Sequence, residues 1–400
     1  MRQTLISMAA AALFAVAGNA SAADQPPLKI GFITDMSGLY ADIDGQGGLE
    51  AIKMAVADFG GTVLGRKIEI VSADHQNKAD IAASKTREWI DQNGVNVIIG
   101  GTNSGTALAT AKVAAEKKRI YINNGAGTSA LTNEQCSPYT IHYTYDTIAM
   151  ANGSAKGLLD KGYKNWFFLT ADYAFGYALE KDASNVVLAN GGKVLGDVKH
   201  PLNASDFSSY LLQAQSSKAQ VLGLANAGGD TINSVKAANE FGITKTMKLA
   251  GLLVFISDVH AIGIKNAQGL LATTAWYWDQ NDQTRKFAGR FMEKMKRMPG
   301  MVQAGDYSST MTYLNAVKAA GTDDSDKVME QLRKTKINDM FTKNGYIRKD
   351  GTMVHDMYLY EVKSPAEVKS PWDYYKLVSS LSGEKAFAIP PDSKCALLNK

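Results

Sequence analysis

The chain has 400 residues, 43 of them basic and 39 acidic, for a formal net charge of +4 at pH 7. So even a balance gives no electrostatic footprint for nucleic acid. A chain of this length exceeds what one core usually supports, so two domains are expected.

Residues Met1 to Ala22 have the three parts of a secretory signal: Arg2, an apolar run from Leu5 to Ala17, and the small-residue site Ala20-Ser21-Ala22. That run is too short to span a bilayer. Cleavage after Ala22 is expected, placing a mature chain from Ala23 in the periplasm. Only Arg2 is lost with the signal, so the charge stays near +3. In an exported chain two cysteines, Cys136 and Cys395, favour a disulfide over two unpaired thiols. Such a bond would tie the carboxyl-terminal tail to the middle of the chain.

Lys29 to Ile33 is a β-rich run, followed by a polar loop, Thr34 to Gly47, and a helix with Leu49, Ile52, Ala55, Val56 and Phe59 at helical spacing. Lys67 to Val71 reads as the next strand and Ala79 to Gln92 as the next helix. The stretch Val97 to Ser129 then gives strand, turn (Gly101-Thr102-Asn103-Ser104-Gly105), helix, strand and turn (Asn123 to Ser129). Both turns sit at the carboxyl ends of predicted parallel strands, where helix amino termini leave unpaired N–H groups for small ligands. After Thr140 to Asp146 the βα alternation restarts, with strands at Trp166 to Thr170, Lys193 to Val198, Gln220 to Ala225 and Met247 to Gly251. The pattern predicts an α/β protein with two doubly wound parallel-sheet lobes. Leu270 to Trp278 and Met353 to Val362 read as further strands, and Ser364 onward, with Pro365, Pro371, Pro390 and Pro391, as loop. Lobe 1 is therefore assigned to 27–146 and 276–349, lobe 2 to 147–275 and 350–372, and a tail to 373–400. A chain that crosses between lobes more than once makes a multi-strand hinge, which bends to open and close.

Catalytic chemistry finds little support. His75, His142, His200, His260 and His355 show no metal-ligand spacing, and Ser104 lies outside any Gly-x-Ser-x-Gly motif. Gly45-Gln46-Gly47-Gly48 is not a dinucleotide fingerprint, and Asp42 to Lys53 lacks the twelfth-position glutamate of a calcium loop. No enzyme, metal or cofactor is expected. Binding remains: Ser104 and Thr128 offer hydroxyls and N–H groups for a carboxylate, against ordinary capping. Tyr40, Tyr173 and Phe175 lie in loops after strands and would sandwich a ligand body, against packing within those loops. Asn226, in Ala225-Asn226-Ala227-Gly228-Gly229, is a further polar candidate.

Ile33-Thr34-Asp35-Met36-Ser37-Gly38, Gly100 to Ser104, Asn124 to Ser129 and Ala171-Asp172-Tyr173-Ala174-Phe175-Gly176, in that order, resemble the periplasmic solute-binding proteins of the leucine/isoleucine/valine-binding type. The resemblance covers the mature chain and implies a type I two-lobe binding fold that delivers a ligand to the permease subunits of an ABC transporter. It places the carboxylate-holding serine on Ser104, beside Asn103. The partner turn falls on Gly125-Ala126-Gly127, so the family's threonine lands on Gly127, with Thr128 one place later. The second-lobe aromatic falls on Phe175 and a tyrosine near Asn226. The glutamate for a ligand ammonium falls at Leu252 or Leu253, where no carboxylate stands. An ammonium buried without a partner costs several kcal/mol, so a small carboxylate without an ammonium fits better. Asp172 to Gly176 and Tyr277-Trp278-Asp279 are also similar to family members associated with aromatic acids, which makes a benzoate- or cinnamate-like acid the leading ligand class. A monomer is expected. The alternatives are a branched-chain amino acid or amide receptor, a ligand sensor for a membrane partner, and an exported hydrolase using Ser104.

Overall fold

The structure, a computed structural model, describes residues 26–399; the signal segment lies outside the described residues. The first sheet holds β1 (Leu28–Thr34), β2 (Thr62–Val63), β3 (Arg66–Asp74), β4 (Val97–Ile99), β5 (Ile120–Asn123) and β6 (Thr140–His142), in the order β2-β3-β1-β4-β5-β6. Every pairing is parallel except the β2–β3 hairpin. Helices cover both faces, so β4 and β5 are buried along their whole length and read in sequence as unbroken apolar runs.

The second sheet is a parallel set of β7 (Asn165–Ala171), β8 (Lys193–His200), β9 (Val221–Ala225) and β10 (Lys248–Gly251), in the order β10-β9-β7-β8. Edge strand β8 turns Lys193, Asp197 and Lys199 outward, charges that discourage pairing with another chain.

The rest of the strands depart from the sequence reading. Leu270 to Trp278 shortens to β11 (Leu271–Thr274). Met353 to Val362 splits into β13 (Met353–Val354), which pairs with β12 (Tyr346–Ile347), and β14 (Met357–Val362). A strand also lies inside the expected tail: β15 (Tyr375–Leu381) pairs with β14, and β11-β14-β15 form a small antiparallel sheet. Most of β15 is exposed, which hid the apolar alternation that signals a strand. The first helix also begins earlier than expected, at Gly45. Gly48 is needed there, since a Cβ on it would lie 1.8 Å from Asp44 Oδ1 and 2.7 Å from the Phe32 ring.

The chain passes between the sheets at 143–146, 275–281 and 355–356. The first and third crossings are tied together: His142 bridges Thr352, and the His355 ring meets the Thr144 carbonyl at 3.0 Å. Cys136 and Cys395 are bonded, and Asn133 Oδ1 accepts the Lys394 N–H at 2.6 Å, so the end of the chain is anchored beside the loop after β5.

Candidate functional site

The carboxyl ends of both parallel sheets face each other across a cleft. After β1 the chain loops out, and the buried Asp35 carboxylate gathers that loop by accepting the N–H groups of Gly38 (2.7 Å) and Tyr40 (2.9 Å) and the Asn77 side-chain amide (2.6 Å). The loop thereby presents Tyr40 to the other lobe. After β7, Tyr173 precedes the helix Ala174–Ala189, whose first turn carries Phe175. The Tyr40 and Tyr173 hydroxyls meet at 2.6 Å, joining the lobes.

Behind this contact is a narrow cavity of about 10 Å³, room for about one water with the lobes in this arrangement. The first lobe supplies Tyr40, Ile43, Thr102, Gly125 and Gly127, the first crossing supplies Tyr145, and the second lobe supplies Tyr173, Phe175, Ala227, Leu253 and Phe255. Five rings line it, and none of the lining residues is Asp, Glu, Lys, Arg or His. Burial pushes the phenols of Tyr40, Tyr145 and Tyr173 up, so all three keep their protons. The Tyr145 O–H donates to the Gly125 carbonyl, and Thr102 Oγ1 accepts the Asp35 N–H at 3.3 Å and faces Thr34 Oγ1 at 3.2 Å. Among the described residues, the N–H groups of Gly125 and Gly127 have no acceptor. A wider crevice of about 310 Å³ at the outer seam, with Leu108, Lys181 and Asp392 on its walls, also takes in Thr128 and Ala174.

Of the residues singled out in sequence, Tyr40, Gly127, Tyr173, Phe175 and Leu253 line the cavity. The others do not. Asn103 caps the helix Ser104–Glu116, its Oδ1 accepting the Thr106 N–H at 3.2 Å. Ser104 Oγ accepts the Thr128 N–H at 3.3 Å and so joins the two turns. Thr128 caps the short 3-10 turn Ser129–Thr132, and Ala126 is buried with its carbonyl held by Asn123 and His142. Asn226 turns away altogether. Its Oδ1 accepts from Thr231 at 2.7 Å, and its amide faces His200 Nε2 at 3.2 Å. The opposite ring nitrogen of His200 meets the Pro201 carbonyl and burial lowers the ring's pKa, so Nε2 is the free acceptor. Ala227, the next residue, faces the cavity instead. Sequence reasoning missed Ile43, Thr102, Gly125, Tyr145, Ala227 and Phe255. Tyr145 and Phe255, aromatics at the ends of predicted elements, carried a signal of the kind used for Tyr40.

A buried acidic pair lies behind the first-lobe wall. Asp44 and Asp306 are both fully buried and stand side by side against Gly48, Asp44 accepting from Thr34 (2.7 Å) and Asp306 from Asn124 (2.7 Å). Burial pushes Asp44 up to about 6, while burial and then the Asp44 charge push Asp306 well above the usual carboxylate range. Asp306 therefore holds the shared proton.

Two parallel-sheet lobes, a triple crossing and a small aromatic-lined cavity between the strand ends are the parts of a closing receptor, and the periplasmic binding protein family matches residues 27–367. The chain belongs to that family. A periplasmic binding protein of Burkholderia mallei is 67% identical, covers 93% of this chain and 99% of its own, and superposes with a TM-score of 0.92. A branched chain amino acid ABC transporter periplasmic ligand-binding protein of Burkholderia xenovorans LB400 is 39% identical over 92% of this chain and 99% of its own, with a TM-score of 0.83. Leu/Ile/Val-binding protein homolog 6 of Brucella melitensis is 27% identical over 82% of this chain and 85% of its own. This periplasmic binding protein is thus an ABC-type solute receptor of the leucine/isoleucine/valine-binding type with a type I fold, and its family works in the periplasm with ABC transporter permeases.

Proposed function

We propose that this receptor closes on a small carboxylate with an aromatic body and delivers it to an ABC importer. The observation that carries the reading is a cavity with five aromatic walls, no Asp, Glu, Lys, Arg or His, and two glycine N–H groups without acceptors among the described residues. Unpaired backbone donors suit an anion, and the rings suit a flat apolar body. The Ser104–Thr128 bond orders the glycine turn that would receive the carboxylate. An amino acid fits less well, because its ammonium would enter a dry site with no carboxylate on the wall.

The relative from Burkholderia xenovorans keeps the amino-acid reading in contention, and thermal unfolding with benzoate, 4-hydroxybenzoate, benzamide and L-leucine separates the two. A bound ligand at 100 times its Kd adds about 2.7 kcal/mol of stability. The acids should raise the midpoint, with benzamide and L-leucine at least about tenfold weaker, a difference of roughly 1.4 kcal/mol. Stabilisation by L-leucine but not by the acids would overturn the reading.

A further inference from the structure

Of the hydroxyls on the cavity wall, those of Thr102 and Tyr145 are turned to protein partners. Tyr40 and Tyr173 differ: each hydroxyl has only the other as a partner, and the two come from opposite lobes. One O–H is used in that bond, which leaves one unused proton and spare lone pairs. Their positions are well fixed. Tyr40 is pinned by the Asp35 loop and packed on the second lobe, where a Cβ on Gly228 would lie 3.0 Å from its ring. Tyr173 is set by its N–H bond to the Ala171 carbonyl (2.8 Å) and by its ring contact with Phe175 at 6.0 Å.

We propose that Tyr40 and Tyr173 form a polar subsite split between the lobes, which bond each other across the cleft and admit a ligand hydroxyl between them. This rests on the aromatic-acid reading of the cavity and narrows it to acids that carry a ring hydroxyl. A hydroxyl both accepts and donates, so it replaces one tyrosine–tyrosine bond by two bonds to the ligand. A ring C–H in the same place would separate the phenols and leave both short of a partner in a part-buried site. Closure on a bare ring therefore costs the tyrosine–tyrosine bond, whereas closure on a ring hydroxyl replaces it, a discrimination that apolar walls cannot supply.

The test is calorimetric titration of wild type, Tyr173→Phe and Tyr40→Phe with 4-hydroxybenzoate and with benzoate. Wild type should prefer 4-hydroxybenzoate by about tenfold or more, the scale of one well-made hydrogen bond. Tyr173→Phe should shrink that preference severalfold while benzoate affinity changes little. Equal affinities in wild type, or a preference that survives in both variants, would overturn the proposal. Binding of neither acid would sink the aromatic-acid reading instead. The pair is then judged by small-angle scattering of the ligand-free proteins: a larger radius of gyration in Tyr173→Phe supports the interlobe contact, and an unchanged one rejects it.

Discussion

Replacing Asp306 by Asn should stabilise the protein at and above neutral pH. A carboxyl in the unfolded chain titrates near ~3.9, whereas burial and the Asp44 charge hold Asp306 well above that in the folded state. Between those values the folded protein binds more protons than the unfolded chain, so stability is fully present below about pH 4 and falls as pH rises, by about 1.4 kcal/mol per pH unit for one proton. Asp44 adds a slope of the same sign up to about pH 6. From ~3.9 to neutrality is about three units, so keeping the Asp306 proton costs at most roughly 4 kcal/mol at pH 7. An asparagine reproduces the protonated acid: its Oδ1 still accepts from Asn124, and its Nδ2 donates to Asp44 where the acid proton did. Urea unfolding followed by circular dichroism at pH 5 and pH 8 should therefore show Asp306→Asn gaining on wild type as pH rises, by about 1–4 kcal/mol at the higher value. Asp306→Ala, which leaves Asn124 and Asp44 short of a partner, should lose about 1–3 kcal/mol at pH 5 and less than that at pH 8, where it too is spared the cost of the Asp306 proton. Parallel pH profiles for wild type and Asp306→Asn would refute the shared proton.

Gly127→Ala should block closure, because its Cβ would lie 2.8 Å from the Phe175 ring and 3.2 Å from that of Tyr145; calorimetry should show at least about tenfold weaker benzoate binding, about 1.4 kcal/mol, and full affinity would contradict the cavity assignment. Ser104→Ala removes the acceptor of the Thr128 N–H and should weaken benzoate several-fold while hardly changing affinity for benzamide; equal losses would show that the turn does not hold the acid group. Changing Cys136 and Cys395 to Ser releases a bond between residues 259 apart in sequence and should cost about 2–5 kcal/mol in urea unfolding. An unchanged midpoint would mean that the link does not constrain the unfolded chain.

The alternation of apolar runs and amphipathic helices made both parallel sheets legible, because strands buried on two faces advertise themselves by composition. Strand β15 did not, since Leu377 to Ser380 are exposed and its only signal is pairing with β14. The start of the first helix was hidden by Gly45 to Gly48, residues whose low helix propensity is overridden by the buried acids packed against Gly48. Asp306 is remote from Gly48 in sequence and β14 ends well before β15 begins, so no local rule could supply these partners.

The site divides along the same line. That strand-end residues gather at a cleft follows from topology, but which neighbour looks into it does not. Asn226 and Ala227 sit side by side after β9, and only the placement of His200 and Thr231 turns the amide inward and leaves the methyl to the ligand. Ser104 is similar, its hydroxyl taken by a turn 24 residues on. Inference from an absent chemical group is less exposed to this uncertainty. Leu253 lines the cavity, and a leucine supplies no charge whichever rotamer it adopts. Rejection of a buried ammonium therefore rests on residue type along the wall, whereas selection of a ring hydroxyl rests on two phenols keeping one geometry, which the tyrosine variants test.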